Sequence, residues 1–88
     1  MTDEIEEIRN ALKNDTLIIG KDLVMKALRH DKITQIFLSS NVSEKNETEI
    51  EHHAKIAEIP VKKIDVPSED IKVLCKKQYL ISTLGIKK

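Results

Sequence analysis

Leu17-Ile18-Ile19-Gly20-Lys21-Asp22-Leu23-Val24-Met25-Lys26-Ala27-Leu28 runs from a short apolar strand through one glycine straight into a helix that carries lysines at 21 and 26. A strand ending in glycine lets the backbone come close to an anion. The first free amides of the following helix and its two lysines then supply the attraction. Two readings of the junction stand on pattern alone: a phosphate cradle, or a tight strand-to-helix turn with solvated lysines.

Outward from this junction, helix and strand signals alternate. Ile5, Ile8, Ala11 and Leu12 recur at helical spacing behind Thr2 and an acidic first turn, predicting a helix over residues 3–13. Residues 16–19 read as a buried strand, and Leu23, Val24, Ala27 and Leu28 mark the inner face of the second helix. Residues 33–39 form a β-branched and aromatic strand, and 40–46 a polar turn. Thr48 and Glu51 stand at capping-box spacing ahead of a third helix with Ile50, Ala54 and Ala57 inward, which Pro60 ends. Residues 61–66 predict a third strand, Pro67 and Ser68 open a fourth helix with Ile71, Leu74 and Cys75 inward, and residues 79–84 predict the last strand. The order αβαβαβαβ calls for an α/β fold, a three-layer α/β/α sandwich on a four-stranded mixed sheet. Periodicity leaves the strand order open.

Eighty-eight residues suit one compact domain, 1–88, with one modest core. Phe37 and Tyr79 are the only aromatic residues, so the core rests on Ile, Leu and Val, and an aromatic-lined cofactor pocket is not expected. Fifteen basic and fifteen acidic residues give zero formal charge, against a protein that coats nucleic acid non-specifically. The distribution is uneven. Residues 71–88 hold Lys72, Lys76, Lys77, Lys87 and Lys88 with no acid, and could form an anion site beside Lys21 and Lys26.

Cys75 stands alone, which excludes an internal disulfide and fits a reducing, cytoplasmic compartment. No apolar run approaches the ~18 residues of a membrane span, so no membrane partner is expected. His52 and His53 point about 100° apart on a helix, with no second ligand pair, so no metal site is expected. The nucleophile elbows and phosphate-binding glycine patterns of enzymes are missing, and no catalytic residue, cofactor or small-molecule substrate is expected.

Several segments resemble the superfamily of kink-turn-binding ribosomal proteins with its L thirty e and L seven Ae branches. The strand, glycine and lysine-bearing helix through Gly20 and Lys26 is similar to that family's, as are Ser39-Ser40-Asn41, Ile59-Pro60-Val61 and residues 68–86 ending Ser82-Thr83-Leu84-Gly85-Ile86. Asn41 and Tyr79 match the L thirty e branch more closely. Asp22 and Leu23 stand where the L seven Ae branch carries an Asn-Glu pair, and Lys72 and Lys76 where the family usually carries glycine.

The resemblance implies a non-enzymatic RNA-binding protein of the large ribosomal subunit, recognising a kink-turn or internal loop of rRNA, cytoplasmic and ribosome-associated, with neighbouring ribosomal proteins as further partners. It implies an RNA site built from Gly20, Lys21, Asp22, Lys26, Asn41, Lys76, Lys77 and Tyr79. Alternative uses remain: Asn41 as a turn cap, Tyr79 as a lid on the core edge, and the whole scaffold as a protein-docking adaptor.

Overall fold

The computed structural model describes residues 2–87. Helices and strands alternate as α1 (Thr2–Lys13), β1 (Leu17–Ile19), α2 (Lys21–Arg29), β2 (Ile33–Leu38), α3 (Glu44–Ala57), β3 (Val61–Lys63), α4 (Ser68–Leu74) and β4 (Thr83–Lys87). The sheet order is β1-β4-β2-β3, with β4 antiparallel to both of its neighbours and β2 parallel to β3. The last strand in sequence is therefore central, and β1 lies at an open edge.

Side-chain alternation along the strands sorts the apolar residues into two cores. Ile36 and Leu38 face α2 and α3, meeting Val24, Met25, Leu28, Ile50 and Ala54. Phe37 and Leu84 face α1 and α4, meeting Ile8, Ile71 and Cys75, with Leu17, Ile19 and Ile86 packed against them. This is the expected three-layer sandwich. Gly85 leaves room for close packing over the central strand: a Cβ there would run into the Ile33 side chain of β2 and come within 3.3 Å of Val24 Cγ2 of α2.

All four helices close with the same device. Backbone amides just beyond the helix ends reach back to the last turn, Thr16 to Ala11 at 2.8 Å, Lys32 to Ala27 at 2.9 Å, Ile59 to Ala54 at 2.8 Å and Lys77 to Lys72 at 3.0 Å. The residue between adopts left-handed backbone, with φ of 58°, 54°, 58° and 56° at Asp15, Asp31, Glu58 and Lys76. Glycine is the usual occupant of this position, and none of the four is glycine. At Lys76, where the family resemblance implies glycine, the backbone keeps the conformation glycine favours. Lys72 lies within α4, half-buried.

Several boundaries differ from the sequence reading. α3 begins at Glu44, with Ser43 as its cap accepting the Asn46 N–H at 3.2 Å, so Thr48 and Glu51 lie inside the helix instead of opening it. Glu44 and Glu47 in its first turn complement the dipole there. β3 stops at Lys63 because β2 ends at Leu38, and Ser40 N–H turns away to the Val66 carbonyl at 2.9 Å. The last strand starts at Thr83 and not at 79, since pairing with β1 and β2 runs only over residues 83–87. Tyr79 and Leu80 are exposed loop residues. Leu23, expected on the inner face of α2, is 58% exposed, and Met25 takes the buried place. Lys88 of the basic carboxyl-terminal group lies outside the described residues.

A left-handed residue with a Cβ costs roughly 1–2 kcal/mol, part of which glycine gives back as unfolded-chain entropy. Glu58→Gly and Lys76→Gly are each expected to raise the unfolding free energy by about 0.5–1 kcal/mol in urea titrations. A loss of stability in both would show that these caps are not strained.

Candidate nucleic-acid interface

Gly20 holds the junction between β1 and α2 at φ 102° and ψ 146°, a region essentially restricted to glycine. Nothing lies within 4 Å of where a Cβ would stand, so the constraint comes from the backbone and not from crowding. Its N–H donates to the Thr83 carbonyl at 3.0 Å, and its carbonyl accepts the first helical bond from Val24 N–H, also at 3.0 Å. No side chain caps α2, which leaves its first-turn amides at residues 21–23 as an anion-facing helix end.

From here a groove runs along the open edge of β1. Leu17, Ile18 and Ile19 form its floor, and Leu23, Lys26, Ala27 and His30 of α2 form one wall. Lys77 and Tyr79, from the loop between α4 and β4, and Lys32 and Lys87 complete it. Four lysines and one histidine line this groove and no aspartate or glutamate does. On a molecule of zero formal charge, the lining gathers charge of one sign.

The eight residues implied by the resemblance divide three ways. Lys26, Lys77 and Tyr79 share the groove, although they come from segments some fifty residues apart, and Tyr79 is 56% exposed beside it. Gly20, Lys21 and Asp22 form the start of α2, and Lys21 and Asp22, with Lys26 of its last turn, line a second depression that includes Glu49 of α3. Asn41 and Lys76 are outside the groove lining.

Lys21 is already engaged. Its ammonium donates to Glu49 Oε2 at 2.7 Å and to Asn46 Oδ1 at 3.0 Å. The hydrogen bond and charge of Lys21 hold the Glu49 carboxyl below the usual carboxylate range. Both side chains remain well exposed, so the pair is solvent-screened and can open.

Asn41 works as a structural clamp. Its Oδ1 accepts the Ser68 N–H at 2.9 Å and the Ser39 hydroxyl at 3.0 Å, tying the end of β2 to the start of α4, while its amide donates to Glu69 Oε1 at 3.4 Å. Cys75 is buried and burial pushes its thiol up, so it behaves as core and not as a nucleophile.

Leu23, His30 and Lys32 were not picked out as site residues by sequence, and Lys87 appeared only within a basic cluster. The missing information was the place of β1 at the sheet edge, which gives these residues a common face.

Comparison with known proteins agrees with the architecture. The model of the Ribosomal protein L7Ae/L30e/S12e/Gadd45 family matches residues 4–88. The chain is 29% identical over 80 residues to large ribosomal subunit protein eL30 of Saccharolobus solfataricus, covering 91% of this chain and 74% of that protein. It is 29% identical over 79 residues to eL30 of Methanothermobacter thermautotrophicus, covering 90% and 81%. Among solved structures, a protein with unknown function from Bacillus halodurans superposes with a TM-score of 0.84 at 20% identity, over 96% of this chain and 83% of that one. The Giardia lamblia 15.5kD RNA binding protein superposes with a TM-score of 0.82 at 10% identity, over 96% and 70%. The family match across almost the whole length leads to one assignment: the chain belongs to the Ribosomal protein L7Ae/L30e/S12e/Gadd45 family.

Proposed function

We propose that this protein is a non-enzymatic RNA-binding protein of the large ribosomal subunit, recognising a kink-turn or related internal loop of rRNA. The observation that carries this reading is the meeting of Lys26, Lys77 and Tyr79 in one groove free of acidic side chains. The groove's lysines hold phosphates, a half-exposed tyrosine stacks on an unpaired base, and the uncapped start of α2 after Gly20 receives the bent backbone. The names of the archaeal relatives and the family match support the same reading.

Within the proposal the remaining residues take different parts. Lys21 serves as a reserve phosphate contact, released from Glu49 when RNA approaches, and Asp22 meets a base edge at the mouth of the helix. Asn41 and Lys76 set the positions of α4 and its following loop. A second reading, a scaffold that docks on protein, draws support from the same Lys21–Glu49 pair, which neutralises one positive charge of the rim.

Titration with a kink-turn RNA at several salt concentrations tests the function. Lys26→Ala is expected to weaken binding and to reduce the slope of log K against log salt by roughly one unit, the signature of one phosphate contact. An unchanged slope removes Lys26 from the site, and absence of any RNA binding favours the protein-docking reading.

Glu49 stays ionised down to a pH below the ordinary glutamate range, so its hold on Lys21 persists at neutral pH and is lost only as pH falls through that lowered pKa. Glu49→Gln removes the charge of that hold at all pH values and leaves only neutral acceptors, Asn46 among them, for Lys21. It is expected to tighten RNA binding at pH 7 and to steepen the salt slope by about one unit. No change in slope would make Lys21 a purely structural clamp.

A further inference from the structure

The open edge of β1 carries a hydrogen-bonding pattern that the RNA reading leaves unused. Lys87 N–H donates to the Thr16 carbonyl at 2.8 Å and Gly20 N–H to the Thr83 carbonyl at 3.0 Å, so the Thr16 carbonyl and the Gly20 N–H point toward β4. Ile18, paired with Gly85, falls in the same phase. Leu17 and Ile19, paired opposite Ile86 and Leu84, therefore direct their N–H and carbonyl groups away from β4, toward the groove.

Donor and acceptor alternate along that edge at the spacing of a neighbouring strand. A phosphate strand satisfies the donors but brings negative oxygens against the two carbonyls, whereas a polypeptide backbone satisfies both. The groove's lining then selects the peptide: Lys26, Lys32, Lys77 and Lys87 surround the edge without an acid among them. A second copy of this chain, paired β1 to β1, would set these lysines against their equivalents, which like-charge repulsion opposes. Exposed Leu23 and Tyr79 add apolar surface for alternate side chains of the added strand.

We propose that the β1 edge accepts a short extended segment of an acidic partner protein as an additional strand of the sheet, with Leu17 and Ile19 providing the backbone pairing and the surrounding lysines the charge selection. The strand would occupy the groove proposed for RNA, so peptide and RNA compete for it, while the pairing itself rests on the sheet edge.

Amide hydrogen exchange followed by NMR tests it, using a blocked synthetic peptide of alternating Glu and Val, its Lys–Val counterpart and oligoglutamate. The Glu–Val peptide is expected to slow exchange at Leu17 and Ile19 by roughly tenfold or more, with Ile18, bonded to β4, as an internal reference. The Lys–Val peptide and oligoglutamate are expected to leave both amides unprotected. Ile19→Pro removes an N–H that faces outward, a substitution an edge strand tolerates, and is expected to abolish peptide binding. If that variant does not fold, exchange in the unaltered protein decides alone. Failure of the Glu–Val peptide to protect Leu17 and Ile19 overturns the proposal and leaves the lysines as guards against self-pairing. So does protection of both amides by kink-turn RNA without any by the peptide, which assigns the edge to RNA. RNA binding without peptide binding leaves the proposed RNA function intact.

Discussion

Insertion of β4 between β1 and β2 is the constraint on which the molecule depends. The strand formed last in sequence must reach the middle of the sheet, antiparallel on both sides, with its register fixed by Leu84 opposite both Ile19 and Phe37. Its neighbour on the α2 side is Gly85, and the absence of a side chain there admits Ile33 and Val24 to the space above the strand. A larger residue would lift α2 from the sheet or force Ile33 out of its rotamer, since packed interiors absorb added methyl groups poorly. Glycine in a central strand ordinarily weakens it; here the close layer contact compensates.

The position of β4 also determines what meets at the surface. Because β4 is central, β1 is pushed to an edge, and the loop that carries Lys77 and Tyr79 from α4 toward β4 joins α2 along that edge. Gly20 and Ser39 are fastened to the start of β4 by bonds to Thr83 and Ser82, at 3.0 and 2.9 Å. Packing, edge formation and local charge are thus consequences of one topological step. A neutral whole and a positive groove are compatible because acids such as Glu44 and Glu47 are placed on α3 and none lines the groove, Glu49 reaching only Lys21 at its rim.

Local chemistry made much of the fold legible in the sequence. Most helices and strands have their own apolar periodicity, β3 with Val61-Lys62-Lys63 being the exception, and Gly20 and Pro60 mark real boundaries, so the alternating order and layers follow from residues alone. Strand order did not, because it depends on non-local pairing that periodicity does not encode. Leu23 was misplaced for a related reason: helical spacing permits it on the inner stripe, but β1 ends beneath α2 and leaves Leu23 over the groove. The opening of α3 was hidden because Ser43 and Thr48 both offer hydroxyls at capping distance from suitable partners. At the site, Lys26, Lys77 and Tyr79 were legible through the resemblance, whereas the engagement of Lys21 by Glu49 and of Asn41 by Ser68 requires contacts across 28 and 27 residues of sequence.

The most direct measurement of this constraint is a double-mutant cycle between Gly85 and Ile33, read by urea unfolding. Gly85→Ala alone is expected to destabilise the protein by about 1–3 kcal/mol, the usual cost of overpacking a core. Ile33→Val removes the Cδ1 atom that the new methyl would strike, so Gly85→Ala in that background is expected to cost much less, giving a coupling well above the about 0.5 kcal/mol seen for independent sites. Additive effects of the two substitutions would contradict the close approach of the Ile33 side chain to the β4 backbone at Gly85, and with it the packing of the central strand.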